Sequence, residues 1–509
     1  MNNKKFIYFK YPQNIDKRLK ELKTRPPDYW LNLGKKQIDR LIKFTLETTP
    51  AYKKFLKENG INYREITGFR DFDKLPIMNK NNYLRQYPYQ ELYPNENLNL
   101  TTISATSGST GEPFYFIRGE NLDEQGLYVL EIAFLNHWDI NKFNTLVILS
   151  FGLGIWIGGL HNYYVYYRLS KKYPLTVAPT GVNKELILKT LQKLSHYYDQ
   201  IILVGYPPFI KDLFDEAVSD RVQFKKFKIR ILNAAESFPE SFRKYITDKV
   251  NIENMFNDNI NIYGTVELGT MAHETAFSNL IRHIAFEKDK VFRNLFRDAT
   301  RTPTLAQYHP YIVWFEEKDG LILASGYGDS IPLLRYSFPD YGGVIYFDEM
   351  IKRLKEVDID IFKEAEKFKI KDKILKLPFV YVYERSDFTV SLVGIILYPE
   401  YIRKVLLKPE LQKYITGKFT MQVVYDKNYN QKLHIHIEMK KNIKPAFKLK
   451  ERIKKEVVNS LIKHSTEYNH LYSTASEKYK KQLEPEIFLH PYEDPIYFKA
   501  GIKQKWVIK

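Results

Sequence analysis

Gln200-Ile201-Ile202-Leu203-Val204, then Pro208–Val218, then Ile229-Arg230-Ile231-Leu232-Asn233 is the stretch that decides the fold. A short apolar run closed by Gly205-Tyr206-Pro207-Pro208 reads as a strand. The segment after it reads as a helix, and the next short run as a second strand. The same alternation extends both ways. Upstream, Leu146–Phe151 is a strand candidate and Lys184–Tyr197 a helix; downstream, Glu240–Val250 is a helix and Ile260–Tyr263 a strand. Strands alternating with helices at this spacing predict a largely parallel sheet covered by helices, an α/β fold.

Working outward, residues 1–100 read as mostly helical, with an amphipathic run at Lys35–Lys57 and breaks at Pro26-Pro27 and Pro76. A further helix is predicted over Leu122–Asn136. From about Tyr311 to Phe347 short strands and turns take over, as in Gly320–Ser325, and predict a β-rich subdomain packed against the α/β part. Phe419–Tyr425 and Leu433–Met439 alternate around Asp426–Asn430 as a β-hairpin does. Leu449, Ile453, Val457 and Leu461 recur every four residues along one helix face. The expected division is a large domain over 1–384 and a small, mobile α+β domain over 385–509.

The chain has 509 residues, too many for one ordinary core, and no cysteine. The second fact excludes disulfides, thiolate nucleophiles and Cys-ligated metals, and fits a cytoplasmic location. Met1-Asn2-Asn3-Lys4-Lys5-Phe6 has no apolar run behind its charges, so an export signal is not expected. The longest apolar run, Thr145–Leu160, falls short of the ~18–20 residues that span a bilayer, and reads as a buried strand and a Gly-rich loop. Membrane insertion is therefore not expected. The net charge is +18, and residues 401–509 alone carry 23 Lys+Arg against 11 Asp+Glu. Such a region suits a polyanionic partner, whether phosphorylated cofactor or acidic protein, or is simply a solvated Lys-rich surface. No nucleic-acid motif accompanies the charges, so a nucleic-acid partner is not expected.

Five stretches carry candidate chemistry. Thr106-Ser107-Gly108-Ser109-Thr110-Gly111, followed by Glu112-Pro113, lies between two β-like runs. Its glycines permit positive φ, and successive N–H groups in such a turn form a concavity for anions, with polyphosphate the natural ligand. A plain surface turn of the same composition reads alike. Asn233-Ala234-Ala235-Glu236-Ser237 and Tyr263-Gly264-Thr265-Val266-Glu267 each follow a strand, where open α/β sheets bind ligands. Tyr263 could stack on a base and Glu267 could hold Mg²⁺. Arg335-Tyr336-Ser337-Phe338-Pro339-Asp340 ends in a carboxylate able to accept two ribose hydroxyls, and Arg385-Ser386-Asp387 stands where the basic region begins. Taken singly, Glu236 and Glu267 read equally as surface acids near helices, and Asp340 as a turn former.

In this order the set resembles the adenylate-forming (AMP-binding) enzymes, and within them the phenylacetate–CoA ligase branch and its capsule-biosynthesis relatives. Val204-Gly205-Tyr206-Pro207-Pro208, Gly394 and Tyr398-Pro399 keep the family spacing. The resemblance implies an acid–thiol ligase that forms an acyl-adenylate from ATP and passes the acyl or aryl group to coenzyme A. A carrier-protein phosphopantetheine and an amine are the alternative acceptors. It also implies roles: Thr106 to Gly111 around the ATP phosphates, Ala235 and Glu236 at the adenine with Tyr263 stacked on it, flanked by Gly264 and Thr265. Glu267 would bind Mg²⁺, Asp340 the ribose, and Arg385 the nucleotide near the junction. Asp387 would be the hinge and Lys503, or its neighbour Lys505, the catalytic lysine.

The sequence departs from the family pattern at Glu112, where many members have Lys, at Ser337-Phe338-Pro339 in place of Arg-Thr-Gly, and at Glu384 in place of Gly. These departures motivate the other reading, a non-catalytic nucleotide- or nucleic-acid-binding protein. A Cys-based zinc site that some relatives carry near His273, Glu274 and His283 cannot exist here in that form. His434 and His436 form an HxH pair that reads more simply as alternate residues on an exposed hairpin face.

Overall fold

The structure is a computed structural model that describes the chain apart from residues 1–5, 107–112, 220–223, 225–226, 251, 297–301, 386–389, 407, 499–506 and 508–509. Its strands are β1 (Thr102–Ala105), β2 (Tyr115–Arg118), β3 (Thr145–Ser150), β4 (Leu175–Ala178), β5 (Gln200–Gly205), β6 (Ile229–Ala234), β7 (Asn259–Thr265), β8 (Gly269–His273) and β9 (Thr304–Tyr308). They continue with β10 (Trp314–Lys318), β11 (Leu321–Gly326), β12 (Leu333–Ile345), β13 (Phe379–Arg385), β14 (Val390–Leu392), β15 (Ile395–Leu397), β16 (Ile415–Tyr425), β17 (Gln431–Met439) and β18 (Glu486–His490).

Eleven of the described strands form one sheet, in the order β10-β11-β12-β13-β9-β8-β7-β6-β5-β3-β4. From β4 to β7 every pairing is parallel; from β7 to β10 every pairing is antiparallel. The fold class is the expected one, a large α/β domain with a smaller C-terminal subdomain. The β-rich stretch, however, extends the parallel half edge to edge through hydrogen bonds.

The parallel half is buried on both faces because its strands are apolar at successive positions. In β3, Leu146 and Ile148 enter one core cluster, and Val147 and Leu149 the opposite one; in β5, Ile201 and Leu203 alternate in the same way with Ile202 and Val204. One face is covered by helices Glu120–Trp138 and Ile157–Ser170. The other is covered by Lys184–Leu194, Pro207–Ser219, Glu240–Val250 and the C-terminal subdomain. The antiparallel half packs on the N-terminal helices Ile15–Thr24, Pro27–Thr48 and Pro50–Glu58.

Two local expectations change. The amphipathic run Lys35–Lys57 is divided at Thr49-Pro50, since Pro50 has no N–H to continue the ladder and instead starts a new helix. After Glu58 the N-terminal region gives way to single turns rather than helices. The Gly-rich segment after β3 is a loop only as far as Trp156. Gly158 and Gly159 open the next helix, and a Cβ on Gly159 would stand 2.1 Å from the Gly152 carbonyl oxygen, so this close approach admits glycine alone.

The C-terminal subdomain is a three-stranded sheet in which β17 pairs antiparallel with β16 and parallel with β18, backed by helix Phe447–His464. On that helix Ile453, Val457 and Leu461 are buried as the spacing predicts. The third strand makes β17 central and overturns the reading of an exposed hairpin face. His436 is buried, bonded at Nδ1 to His490 Nε2 (2.9 Å) and stacked on Tyr497, and burial with the neighbouring histidines lowers its pKa to about 4. No described helix is long and apolar enough to cross a membrane.

Beneath β6 and β7 lies a buried ionic cluster. Arg243 donates to both carboxylate oxygens of Glu274 (2.9 Å each), to Glu240 (3.2 Å) and to the Asn259 carbonyl; Arg282 also pairs with Glu240. Glu274 in turn accepts from the Asn261 N–H at 2.8 Å, which fixes the strand beside the site. Removing one member leaves an uncompensated buried charge. Arg243→Met is therefore expected to destabilise the fold by about 3–5 kcal/mol, measured as a lower urea midpoint.

Candidate active site

The parallel strands β3, β5, β6 and β7 all end on the same edge of the sheet, and a cavity of about 1150 Å³ opens there. A ligand crevice at the C-terminal ends of parallel strands is the rule for open α/β sheets. Phe151 after β3, Tyr206 after β5, Ala235 and Glu236 after β6, and Tyr263, Gly264 and Thr265 in β7 all line it. Ala235 has φ of +72°, a left-handed conformation that costs a non-glycine residue energy and turns the chain sharply at the strand end.

Thr106 closes the base of the Gly/Ser/Thr loop. Its N–H donates to the Phe114 carbonyl (2.9 Å), and its Oγ1 accepts from the Phe114 N–H (3.1 Å). Thr106 also lines the cavity, so the first end of the loop stands at the pocket wall. Ser107, Gly108, Ser109, Thr110 and Gly111 lie outside the described residues, as do Asp387, Lys503 and Lys505.

The carboxylates are not surface acids. Asp340 sits within β12, not in a turn, and is buried; its Oδ2 accepts from the Tyr263 hydroxyl at 2.6 Å, and its backbone pairs in register with Arg385. Three residues from distant stretches thus meet at one place. Tyr263 lies nearly parallel to Phe315, with ring centroids 6.1 Å apart. Glu267 is buried at the β7–β8 turn, where its Oε1 is 3.4 Å from the Tyr336 hydroxyl and 3.6 Å from Lys80 Nζ. Glu236 is buried at the cavity wall, and its carboxylate faces the C-terminal subdomain. Oε1 accepts from Ser391 Oγ (2.7 Å) and the Gly394 N–H, and Oε2 from Gln431 Nε2 (2.9 Å).

Lys80 and Tyr336 were not singled out from sequence. Tyr336 was within reach, since it lies inside a quoted stretch. Lys80 was not: it arrives because Met78 pairs by backbone with β12, accepting from Ser337 N–H (2.8 Å) and donating to the Arg335 carbonyl (3.3 Å). Arg335 keeps the family spacing but serves packing. It reaches away to the carbonyls of Asp73 (2.7 Å) and Leu75 (2.8 Å), and its Nε lies 3.3 Å from Glu316. At the far wall, Phe151, Trp156 and Ile157 adjoin His161 and Asn162; His161 Nδ1 bonds to Asp123 at 2.7 Å, and Asp123 also pairs with Arg118.

A carboxylate beside a phenol suits a sugar hydroxyl and a ring. One buried carboxylate facing a cavity suits Mg²⁺, which is commonly held by one or two carboxylates plus phosphate oxygens.

The fold is shared with a CoA ligase of known structure. 2-Hydroxyisobutyryl-CoA ligase, solved with 2-HIB-AMP and CoA in its thioesterification state, superposes with a TM-score of 0.67 at 12% identity, over 99% of this chain and 94% of that one. The same enzyme in its postadenylation state with R3-HIB-AMP gives 0.54, over 99% and 95%, and its open conformation 0.52, over 96% and 94%, each at 12% identity. In sequence the chain is similar to the phenylacetate-coenzyme A ligase of Thermus thermophilus, 21% identical over 249 residues, 49% of this chain and 53% of that protein. The match thus spans about half the length of the curated relative. No family model matches the sequence.

Burial raises Glu316 to about 7 against the pull of Arg335, with Asp73 adding to the rise. The folded pKa lies above the unfolded one, so this contribution to stability is complete at low pH and lost as pH rises from about 4.5 through 7. Stability is expected to fall by up to about 3 kcal/mol over that window. Glu316→Gln should flatten the slope in urea titrations at stepped pH.

Proposed function

We propose that the protein is an ATP-dependent carboxylate-activating ligase that forms an acyl-adenylate and transfers the acyl group to coenzyme A. The observation that carries this reading is the convergence of Thr106, Ala235, Tyr263 with Asp340, and Glu267 on one cavity at the parallel strand ends. The fold and the Thermus relative support the same class.

In the first step a carboxylate oxygen of the acid attacks the α-phosphorus of ATP, and pyrophosphate leaves. The work of the chain is positioning and charge compensation, since the carboxylate is already a competent nucleophile. Asp340 would hold the ribose hydroxyls, and Tyr263, with its hydroxyl anchored on that carboxylate, would present its ring to the adenine. The backbone at Ala235 and Glu236 would border the base, and the loop from Thr106 to Gly111 would wrap the phosphates. Glu267 would hold Mg²⁺, which supplies compensation of phosphate charge. Arg385 would contact the nucleotide. Lys503 would bridge the acid and the α-phosphate, and Asp387 would be the hinge between a large domain over 1–384 and a small one over 385–509. In the second step the thiol sulfur of CoA attacks the acyl carbonyl, AMP leaves with the bonding pair, and the thiol proton passes to solvent.

The acid would lie against Phe151, Trp156 and Ile157, with His161 and Asn162 as the polar part of that wall. An acid with an apolar or aryl body and a hydrogen-bonding group matches this lining. The basic C-terminal region would favour CoA phosphates or an acidic carrier protein electrostatically.

Pyrophosphate exchange into ATP across a panel of carboxylic acids tests the proposal, with CoA, a carrier protein and an amine as competing acceptors. Exchange with at least one acid is expected, and thioester with CoA. Lys503→Ala should lower exchange by about 10²–10³ and Lys505→Ala should leave it largely intact; the reverse pattern moves the catalytic role to Lys505. Absence of exchange with every acid, together with salt-sensitive nucleic-acid binding, would overturn the proposal.

A further inference from the structure

Resting on the two-step reading above, we infer that Glu236 is a positioning residue for thioester formation: its buried carboxylate latches the C-terminal subdomain in the thioester-forming arrangement.

The β14–β15 turn, Val393-Gly394, is inserted between the ends of β5 and β6. Gly394 has φ of +80°, and a Cβ there would lie 2.2 Å from the Tyr206 ring, so the turn seats flush against the body. Seated so, it offers the Gly394 N–H and Ser391 Oγ to one oxygen of Glu236, while Gln431 at the start of β17 offers its Nε2 to the other. All three donors come from the C-terminal subdomain, and the carboxylate that accepts them belongs to the body. Gln431 cannot turn its amide round, because its Oε1 accepts from the Val393 N–H (2.5 Å). From the body side, Asn261 Nδ2 donates to the Glu236 carbonyl (2.8 Å) and holds the residue's backbone in place.

A buried carboxyl group depends on its hydrogen-bond partners, because each one lost leaves a desolvated polar atom. If the subdomain turned away, these three bonds would be exchanged for water in the cavity. The contact is therefore specific to one arrangement. Overall, that arrangement is nearer to the thioesterification state of 2-hydroxyisobutyryl-CoA ligase (TM-score 0.67) than to its postadenylation (0.54) or open (0.52) states.

Gln431→Glu tests the latch with an isosteric change. The new side chain can still accept from Val393 N–H and from the Tyr425 hydroxyl, which now lies 2.9 Å from Gln431 Nε2, but it sets an acceptor where Glu236 Oε2 now meets a donor. Glu236→Gln combined with Gln431→Glu restores one donor facing one acceptor. The chain has no cysteine, so Tyr197→Cys on the body and Phe447→Cys on the subdomain, both exposed, accept paired spin labels without background.

Gln431→Glu is expected to slow single-turnover thioester formation about ten-fold or more while pyrophosphate exchange stays within about two-fold, and to lengthen or broaden the label distance. The double variant should recover both. An unchanged distance in Gln431→Glu, an equal loss in both half-reactions, or no recovery in the double variant would overturn the latch. If the parent protein activates no acid, the proposed function fails on that result, and the label distances alone decide the latch.

Discussion

A sheet buried on both faces can present polar groups only at its strand ends, and this constraint organises the molecule. The parallel strands β3, β5, β6 and β7 place apolar side chains into both covering layers. Their carboxyl ends therefore become the place where polar residues meet a ligand. The buried Arg243–Glu240–Glu274 cluster belongs to the same logic. It satisfies backbone at Asn259 and Asn261 in the first half of β7, and so anchors that strand behind the cavity.

The antiparallel half completes the site from the other side. β12 brings Asp340 to Tyr263 and Tyr336 to Glu267, while its pairing with Met78 draws Lys80 from the N-terminal region toward the same carboxylate. One long strand thus ties three remote parts of the chain to one pocket. The C-terminal subdomain closes the arrangement by covering Glu236, and its core is continuous with that of the body through Phe209, Leu213 and Phe242. Tyr429 packs edge-on to Phe242 and near Tyr245 across this contact.

Electrostatics follow from the same geometry. Most of the excess positive charge falls within residues 401–509 of the sequence, whereas the cavity wall carries Glu236, Glu267 and Asp340. A polyphosphate entering there needs cationic help near those acids. Lys80, 3.6 Å from Glu267, is one described cation in that position.

The sequence by itself determined the alternation of strands and helices, because apolar runs bounded by Gly and Pro are local signals. The predicted helix Glu240–Val250 matches to the residue, and the predicted strands at β3, β5, β6 and β7 match to within two, whereas β4 answers to no predicted strand. It also marked Ala235, Tyr263, Glu267 and Asp340, each in a short stretch of distinctive residues, the first three at or just after a strand end and Asp340 in the middle of β12. Only the tertiary structure decided their company. Lys80 meets Glu267 through a backbone pairing between segments more than 250 residues apart in sequence, which no local pattern encodes. The joining of the β-rich stretch to the parallel sheet, the burial of His436 under a third strand and the engagement of Glu236 by Ser391, Gly394 and Gln431 are long-range in the same way. Each depends on which elements become neighbours. That is settled by the packing of whole layers, not by the residues of any one segment.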